Sequence, residues 1–197
     1  GEVQLREAVQ ASNEEPIPRR LSLYVHVPFC FSPCFYCGCN RIITRDLGRS
    51  DSYLARLYRE VALIAPAFDR DREVIQLHFG GGTPNFLNPT QLADTVDVLR
   101  RQFHFADRRD SDISIEIDPR FCDPAWMPAL AASGFNRASL GVQDLNDRVQ
   151  QAIGRVQPLS VVQQAVSTLR SASIEQLSMD LMYGLPHQTA DDLCNSI

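Results

Sequence analysis

Leu21-Ser-Leu-Tyr-Val-His-Val27 runs directly into Pro28-Phe29-Cys30. Leu21, Leu23, Val25 and Val27 alternate with Ser22, Tyr24 and His26, the two-residue period of a strand with one apolar and one polar face. Four later segments repeat the pattern. In Val74–Phe79, Ile75, Leu77 and Phe79 oppose Gln76, His78 and the following Gly80. In Asp112–Ile117, Ile113, Ile115 and Ile117 oppose Ser114, Glu116 and Asp118. In Arg137–Val142, Ala138, Leu140 and Val142 oppose Ser139, Gly141 and Gln143. In Gln176–Met182, Leu177, Met179 and Leu181 oppose Ser178, Asp180 and Met182.

Helices are predicted between these strands, near Asp51–Ala65, Pro89–Gln102, Pro124–Ser133, Asn146–Ile153 and Ser160–Arg170. Asn88-Pro89 and Asp123-Pro124 each place a cap before a first-turn proline, and Ser160 with Gln163 reads as a capping box. Repeated strand–helix alternation implies an α/β fold with a parallel sheet and right-handed crossovers. Strands of such a sheet usually bury both faces and read as continuous apolar runs. A polar second face therefore describes an open barrel around a polar ligand, or else a sheet with one wet face. Parallel sheets rarely leave a face bare, which favours the barrel. Before it, Glu2–Ala11 reads as the last turns of a short helix and Asn13–Arg20, with its prolines and charges, as an exposed linker. The expected organisation is an N-terminal segment over 1–20 and one domain over 21–197.

The chain has 197 residues and a formal charge of −5, so a broad phosphate-binding surface, and with it nucleic acid, is not expected. All the basic residues are Arg, which removes the P-loop lysine and Schiff-base chemistry. No apolar run approaches the roughly 18 residues of a membrane span, and no secretory signal is present. The expected compartment is the cytoplasm, where clustered cysteines more often hold metal than form disulfides.

Four of the six cysteines, Cys30, Cys34, Cys37 and Cys39, follow the first strand within ten residues. Thiolates packed this tightly can converge on one metal centre from one loop. A structural zinc site closed by four thiolates is one reading. Zinc sites usually pair two separated Cys-x-x-Cys turns, however, whereas iron–sulfur sites commonly use one dense run. Gly80-Gly81-Gly82-Thr83-Pro84 ends the second strand, and its bare backbone allows either close approach of a ligand or a tight turn. Glu116 and Asp180 are acids on strands, placed to pair with Arg137 or Arg155 or to accept from a ribose or adenine. His26 and His78 face inward as satisfied structural histidines, while Cys122 and Cys194 stand apart.

The Cys30-x-x-x-Cys34-x-x-Cys37 spacing resembles the signature of the radical S-adenosylmethionine (SAM) superfamily. Tyr24-Val-His-Val-Pro-Phe-Cys30, Cys37-Gly-Cys-Asn40, His78-Phe-Gly-Gly-Gly-Thr-Pro84, Glu116-Ile-Asp-Pro-Arg120, Gly134-Phe-Asn-Arg137, Gly141-Val-Gln-Asp144 and Tyr183-Gly-Leu-Pro186 occur in order. Together, from about residue 21 onward, they are similar to the oxygen-independent coproporphyrinogen III oxidase family of haem biosynthesis. Cys39 favours the oxidases over their haem-chaperone paralogues and over the haem-degrading methyltransferases.

The resemblance implies an incomplete parallel β/α barrel of radical SAM type, with about five of six strand–helix units and no C-terminal domain. It implies a 4Fe–4S cluster on Cys30, Cys34 and Cys37, with Cys39 free and the fourth iron left to chelate SAM. Tyr24, Gly81 and Glu116 would contact that SAM. The family can hold a second SAM, for which Tyr36, Gly82, Thr83, Gln143, Arg155 and Asp180 are the matching positions; Phe35-Tyr36 here stands where the family more usually has Tyr-Phe. The implied activity is oxidative decarboxylation of two coproporphyrinogen III propionates to vinyl groups by a 5′-deoxyadenosyl radical, giving protoporphyrinogen IX. A cluster-bearing haem chaperone is the alternative. The implied partners are the porphyrinogen and a one-electron donor protein, with a monomeric full-length enzyme. Family members are more than twice as long, so the chain reads as a fragment, inactive by itself.

Overall fold

A computed structural model describes all of residues 1–197. The strands are β1 (Leu21–Val27), β2 (Phe29–Cys30), β3 (Ile42–Ile43), β4 (Glu73–Gly81), β5 (His104–Phe105), β6 (Asp112–Ile117), β7 (Arg137–Gln143) and β8 (Gln176–Leu181). The helices are α1 (Glu2–Asn13), α2 (Arg49–Ile64), α3 (Pro89–Gln102), α4 (Met127–Ser133), α5 (Asp147–Ala152), α6 (Leu159–Ser171) and α7 (Ala190–Ser196). The main sheet runs β1-β4-β6-β7-β8, every pair parallel, with the short β5 alongside β4 and a small β2-β3 pair apart. No helix is long and apolar enough to cross a membrane.

The alternation seen in the sequence decides which way each strand faces. Val25, Val27, Leu77, Phe79, Ile113, Ile115, Ala138 and Leu140 are buried against Leu54, Val61, Leu92, Val96, Leu99, Leu130, Val162 and Leu169 of the helices. Each Leu, Ile or Phe buried in this way stabilises the fold by about 1.5–3 kcal/mol. The opposite, polar face is left for a site. In register across it, Tyr24 meets His78, His78 meets Ser114, Glu116 meets Ser139 and Gly141 meets Asp180. The barrel is incomplete, because β1 and β8 each pair on one side only. β8 shows this most plainly: none of its residues is fully buried.

Two of the three caps expected from the sequence form, at Asn88 and at Asp123, whose side chain accepts from the Ala125 N–H at 2.8 Å. The Asn88 side chain accepts from the Gln91 N–H and Gln91 returns the bond, the reciprocal cap expected of α3. The helix expected over Pro124–Ser133 is instead a 3₁₀ turn, Pro124–Trp126, followed by α4. Pro128 has no N–H to extend an α-helix back through that turn. The capping box expected of Ser160 and Gln163 does not form: α6 begins at Leu159 after Pro158, with no side-chain cap. The entry to α6 is set from elsewhere, by the Gln157 N–H donating to buried Gln150 at 2.8 Å.

Candidate cofactor site

The site lies at the C-terminal ends of the parallel strands, where the connections leave the sheet. One cavity of about 170 Å³ is lined by Cys30, Cys34, Tyr36, Cys37, Cys39, Gly81, Gly82, Thr83, Glu116, Gln143, Arg155 and Asp180, among others. Every residue expected to hold cluster or cofactor is therefore brought to one place, except Tyr24. Tyr24 lies on the same sheet face one strand away, its ring stacked on His78 at 5.7 Å between centroids.

The cysteine loop is held from several sides. Ile42 and Thr44 N–H groups donate to Pro28 and Cys30 carbonyls at 2.7 and 2.9 Å, so the loop leaves and returns along the β2-β3 pair. Arg41 Nη1 donates to the Cys37 carbonyl at 2.5 Å. His26 Nε2 lies 2.9 Å from the Asn40 carbonyl, which ties the end of the loop to β1. None of the six cysteines is paired in a disulfide. Burial pushes the Cys30 thiol up, partly offset by the Thr83 hydroxyl, which donates to its sulfur at 3.6 Å.

The glycine segment is where the backbone must come close. Gly81 has φ +114, a conformation side chains rarely adopt, and a Cβ there would stand 3.0 Å from the Val27 carbonyl. A Cβ on Gly82 would stand 2.7 Å from the Phe29 carbonyl and 3.0 Å from Cys30 Sγ. The turn thus presses its bare backbone against the cysteine loop. Gln143, at φ 69, has the left-handed backbone without being glycine, and its carbonyl is held by the Met182 N–H at 2.9 Å.

The acids do not pair with the arginines proposed for them. Glu116 accepts from the Gly81 N–H at 3.2 Å and lies 3.1 Å from His78 Nε2. His78 Nδ1 in turn lies 2.8 Å from the Ser114 hydroxyl, so His78 is a satisfied histidine. Asp180 takes the Ser139 hydroxyl at 2.8 Å. Arg137 goes to Asp112 at 3.2 Å and Arg155 to Asp118 at 3.3 Å. Asp118 and Arg120 also line the cavity, though neither stood out from the sequence as a site residue. Their signal was Asp118 on a polar strand face, followed by Pro119 and a second charge.

The donor set is the kind an iron–sulfur cluster takes, several thiols brought to one cavity by one dense loop. The donors beside the cavity are thiols on one loop, and buried Arg155 Nε has no partner in the protein. The sequence model of the Radical SAM superfamily matches residues 24–197. The chain belongs to the radical SAM superfamily.

Membership in the radical SAM superfamily implies a 4Fe–4S cluster and SAM. The oxygen-independent coproporphyrinogen III oxidase of Pseudomonas aeruginosa is 46% identical over 177 residues, spanning 90% of this chain and 38% of that protein. The Escherichia coli oxidase is 42% identical over 191 residues, spanning 97% of this chain and 40% of its own length. The solved Escherichia coli coproporphyrinogen III oxidase, HemN, a radical SAM enzyme, superposes with a TM-score of 0.90 at 41% identity, over 100% of this chain and 44% of that one. The radical SAM methyltransferase TsrM of Kitasatospora setae, solved with cobalamin and a [4Fe–4S] cluster, is 15% identical with a TM-score of 0.56 and shares the fold alone. This radical SAM chain thus spans about two-fifths of the length of the oxidases it matches.

Proposed function

We propose that the chain forms the cluster and SAM site of an oxygen-independent coproporphyrinogen III oxidase of haem biosynthesis, acting in the cytoplasm. The observation that supports this reading is the gathering of Cys30, Cys34, Cys37, Gly81, Gly82, Thr83 and Glu116 around one cavity. Cys30, Cys34 and Cys37 hold three irons, and Cys39 holds none. The Gly81–Gly82 backbone receives the amino end of SAM, while Glu116, with Oε2 on the Gly81 N–H and Oε1 3.1 Å from His78 Nε2, accepts from the ribose through a remaining lone pair. Tyr24 bounds the same SAM from β1. Tyr36, Gly82, Thr83, Gln143, Arg155 and Asp180 surround a second SAM.

When bound, the cluster and SAM supply a radical able to take hydrogen from an unactivated carbon. At each of two propionates one hydrogen atom leaves the β-carbon, the carboxylate departs as carbon dioxide, and one electron passes to an acceptor, leaving a vinyl group. The chain's own part is to orient SAM and keep water from the reacting carbon. A one-electron donor protein completes the system.

The test is anaerobic reconstitution of the full-length protein with iron and sulfide, followed by assay of SAM cleavage with and without coproporphyrinogen III. Vinyl groups and carbon dioxide in equal numbers, two of each per porphyrinogen, are expected. Stable haem binding with no vinyl product would replace the oxidase reading with that of a haem chaperone.

A further inference from the structure

Three charged side chains meet beside Cys34. Arg120 grips Asp118 with two hydrogen bonds, Nε to Oδ1 at 3.0 Å and Nη2 to Oδ2 at 2.7 Å. Arg155 Nη1 lies 3.3 Å from the same Asp118 Oδ2 and 3.6 Å from Cys34 Sγ, and Nη2 donates to the Gly141 carbonyl at 2.9 Å. Asp118 is 6% exposed, Arg155 8% and Cys34 8%. Two guanidiniums against one carboxylate leave one positive charge uncompensated in a place largely shielded from water. A buried charge is costly unless it is paired. Beyond Asp118, the protein group within reach of Arg155 that turns anionic on binding metal is the Cys34 sulfur, 3.6 Å away.

We infer that Arg155, steadied by Asp118 and Arg120, is a positioning residue that sets positive charge on the Cys34 sulfur and so raises the reduction potential of the cluster. The inference rests on the cluster reading above. Reduction adds one negative charge to the cluster, and a fixed cation touching a ligand sulfur favours that form. Hydrogen bonds to the sulfurs and local net charge are the protein's usual means of setting such potentials. If Arg155 served only to pack β7 against Asp118, its charge would leave the potential unmoved.

The experiment is a redox titration of the anaerobically reconstituted full-length protein in the absence of SAM, followed by the EPR signal of the reduced cluster, with iron content measured alongside. Arg155→Gln is expected to lower the potential, cutting the ratio of reduced to oxidised cluster about tenfold at fixed ambient potential, or about 59 mV for one electron. Arg155→Lys keeps the charge and is expected to stay near the wild-type value. Arg120→Gln, which removes the second positive charge beside Cys34, is expected to move it in the same direction as Arg155→Gln and keeps the test open if that variant loses its iron. Unshifted potentials in iron-loaded Arg155→Gln and Arg120→Gln would overturn the inference, as would equal shifts in the Lys and Gln variants of Arg155. Wild-type protein that takes up no iron would overturn the cluster reading itself, and the arginine role with it.

Discussion

Glu116 Oε2 accepts a hydrogen bond from the Gly81 N–H at 3.2 Å, across the paired strands β4 and β6. The carboxylate fixes the glycine turn that lies against the cysteine loop, while its side chain stays 41% exposed toward the cavity. The carboxylate that braces the wall of the site is thus also presented to the cavity. Glu116→Gln should weaken SAM binding by on the order of 10- to 100-fold, the worth of one hydrogen bond to a charged group. Iron content should not change. Calorimetric titration of the iron-loaded variant with SAM checks this, and wild-type affinity would remove Glu116 from the site.

Cys30→Ala, Cys34→Ala and Cys37→Ala should each abolish the cluster, because each leaves one iron without its thiolate. Cys39→Ser should keep it. Iron and sulfide content and the reduced-cluster EPR signal decide the matter, and normal cluster uptake by Cys34→Ala would sink the ligand assignment.

Gly81→Ala should destabilise the protein by about 1–3 kcal/mol, the usual strain of a residue forced into sparsely populated backbone space. The new methyl group would also crowd the Val27 carbonyl. Thermal unfolding of the metal-free protein measures this apart from cofactor binding. An unchanged Tm would mean that the turn relaxes and is not pressed against β1.

Alkaline pH should destabilise the fold. Burial first, and then Asp123, pushes the Cys122 thiol up to about 11; burial first, and then Glu60 and Tyr24, pushes the Tyr53 hydroxyl up to about 12. Both folded values lie above the ordinary 9.0 and 10.0, so folding favours the neutral forms. The resulting stability is present in full below about pH 9 and is lost as pH rises through the raised values. Denaturant unfolding at pH 8, 9.5 and 11 should show the fall, and Cys122→Ala should reduce it.

The 197-residue chain by itself should self-associate. β8 is an edge with unpaired backbone groups, and beside it Leu159, Val162, Val166, Met179 and Leu181 line an apolar groove of about 710 Å³. Such edges invite pairing with another chain. Sedimentation at several concentrations should give a rising mean mass, and the isolated chain, even carrying iron and sulfide, should yield no vinyl product. Turnover of coproporphyrinogen III by a stable monomer of this length would contradict both expectations.

What the sequence determined by itself was local. The faces of β1, β4, β6, β7 and β8 follow from side chains that alternate along each strand, apart from the register shifts at Leu21/Ser22 and Gly141/Gln143. The Asn88 cap needs nothing beyond Gln91, three residues on. The cysteines declare themselves because one short loop carries them. The partners of the polar face were another matter, since they depend on how far-separated strands come into register. Glu116 and Asp180 each had an arginine to pair with on paper, yet Gly81 is 35 residues from Glu116 and Ser139 is 41 from Asp180. The tertiary structure also chose the start of α6, through Gln150 and Gln157, and gathered Arg120, Asp118 and Arg155 around Cys34. Arg155 and Cys34 are 121 residues apart, and no local period reaches that far. Only the parallel stacking of strands, each returning to the same end of the sheet, sets that charge against that sulfur.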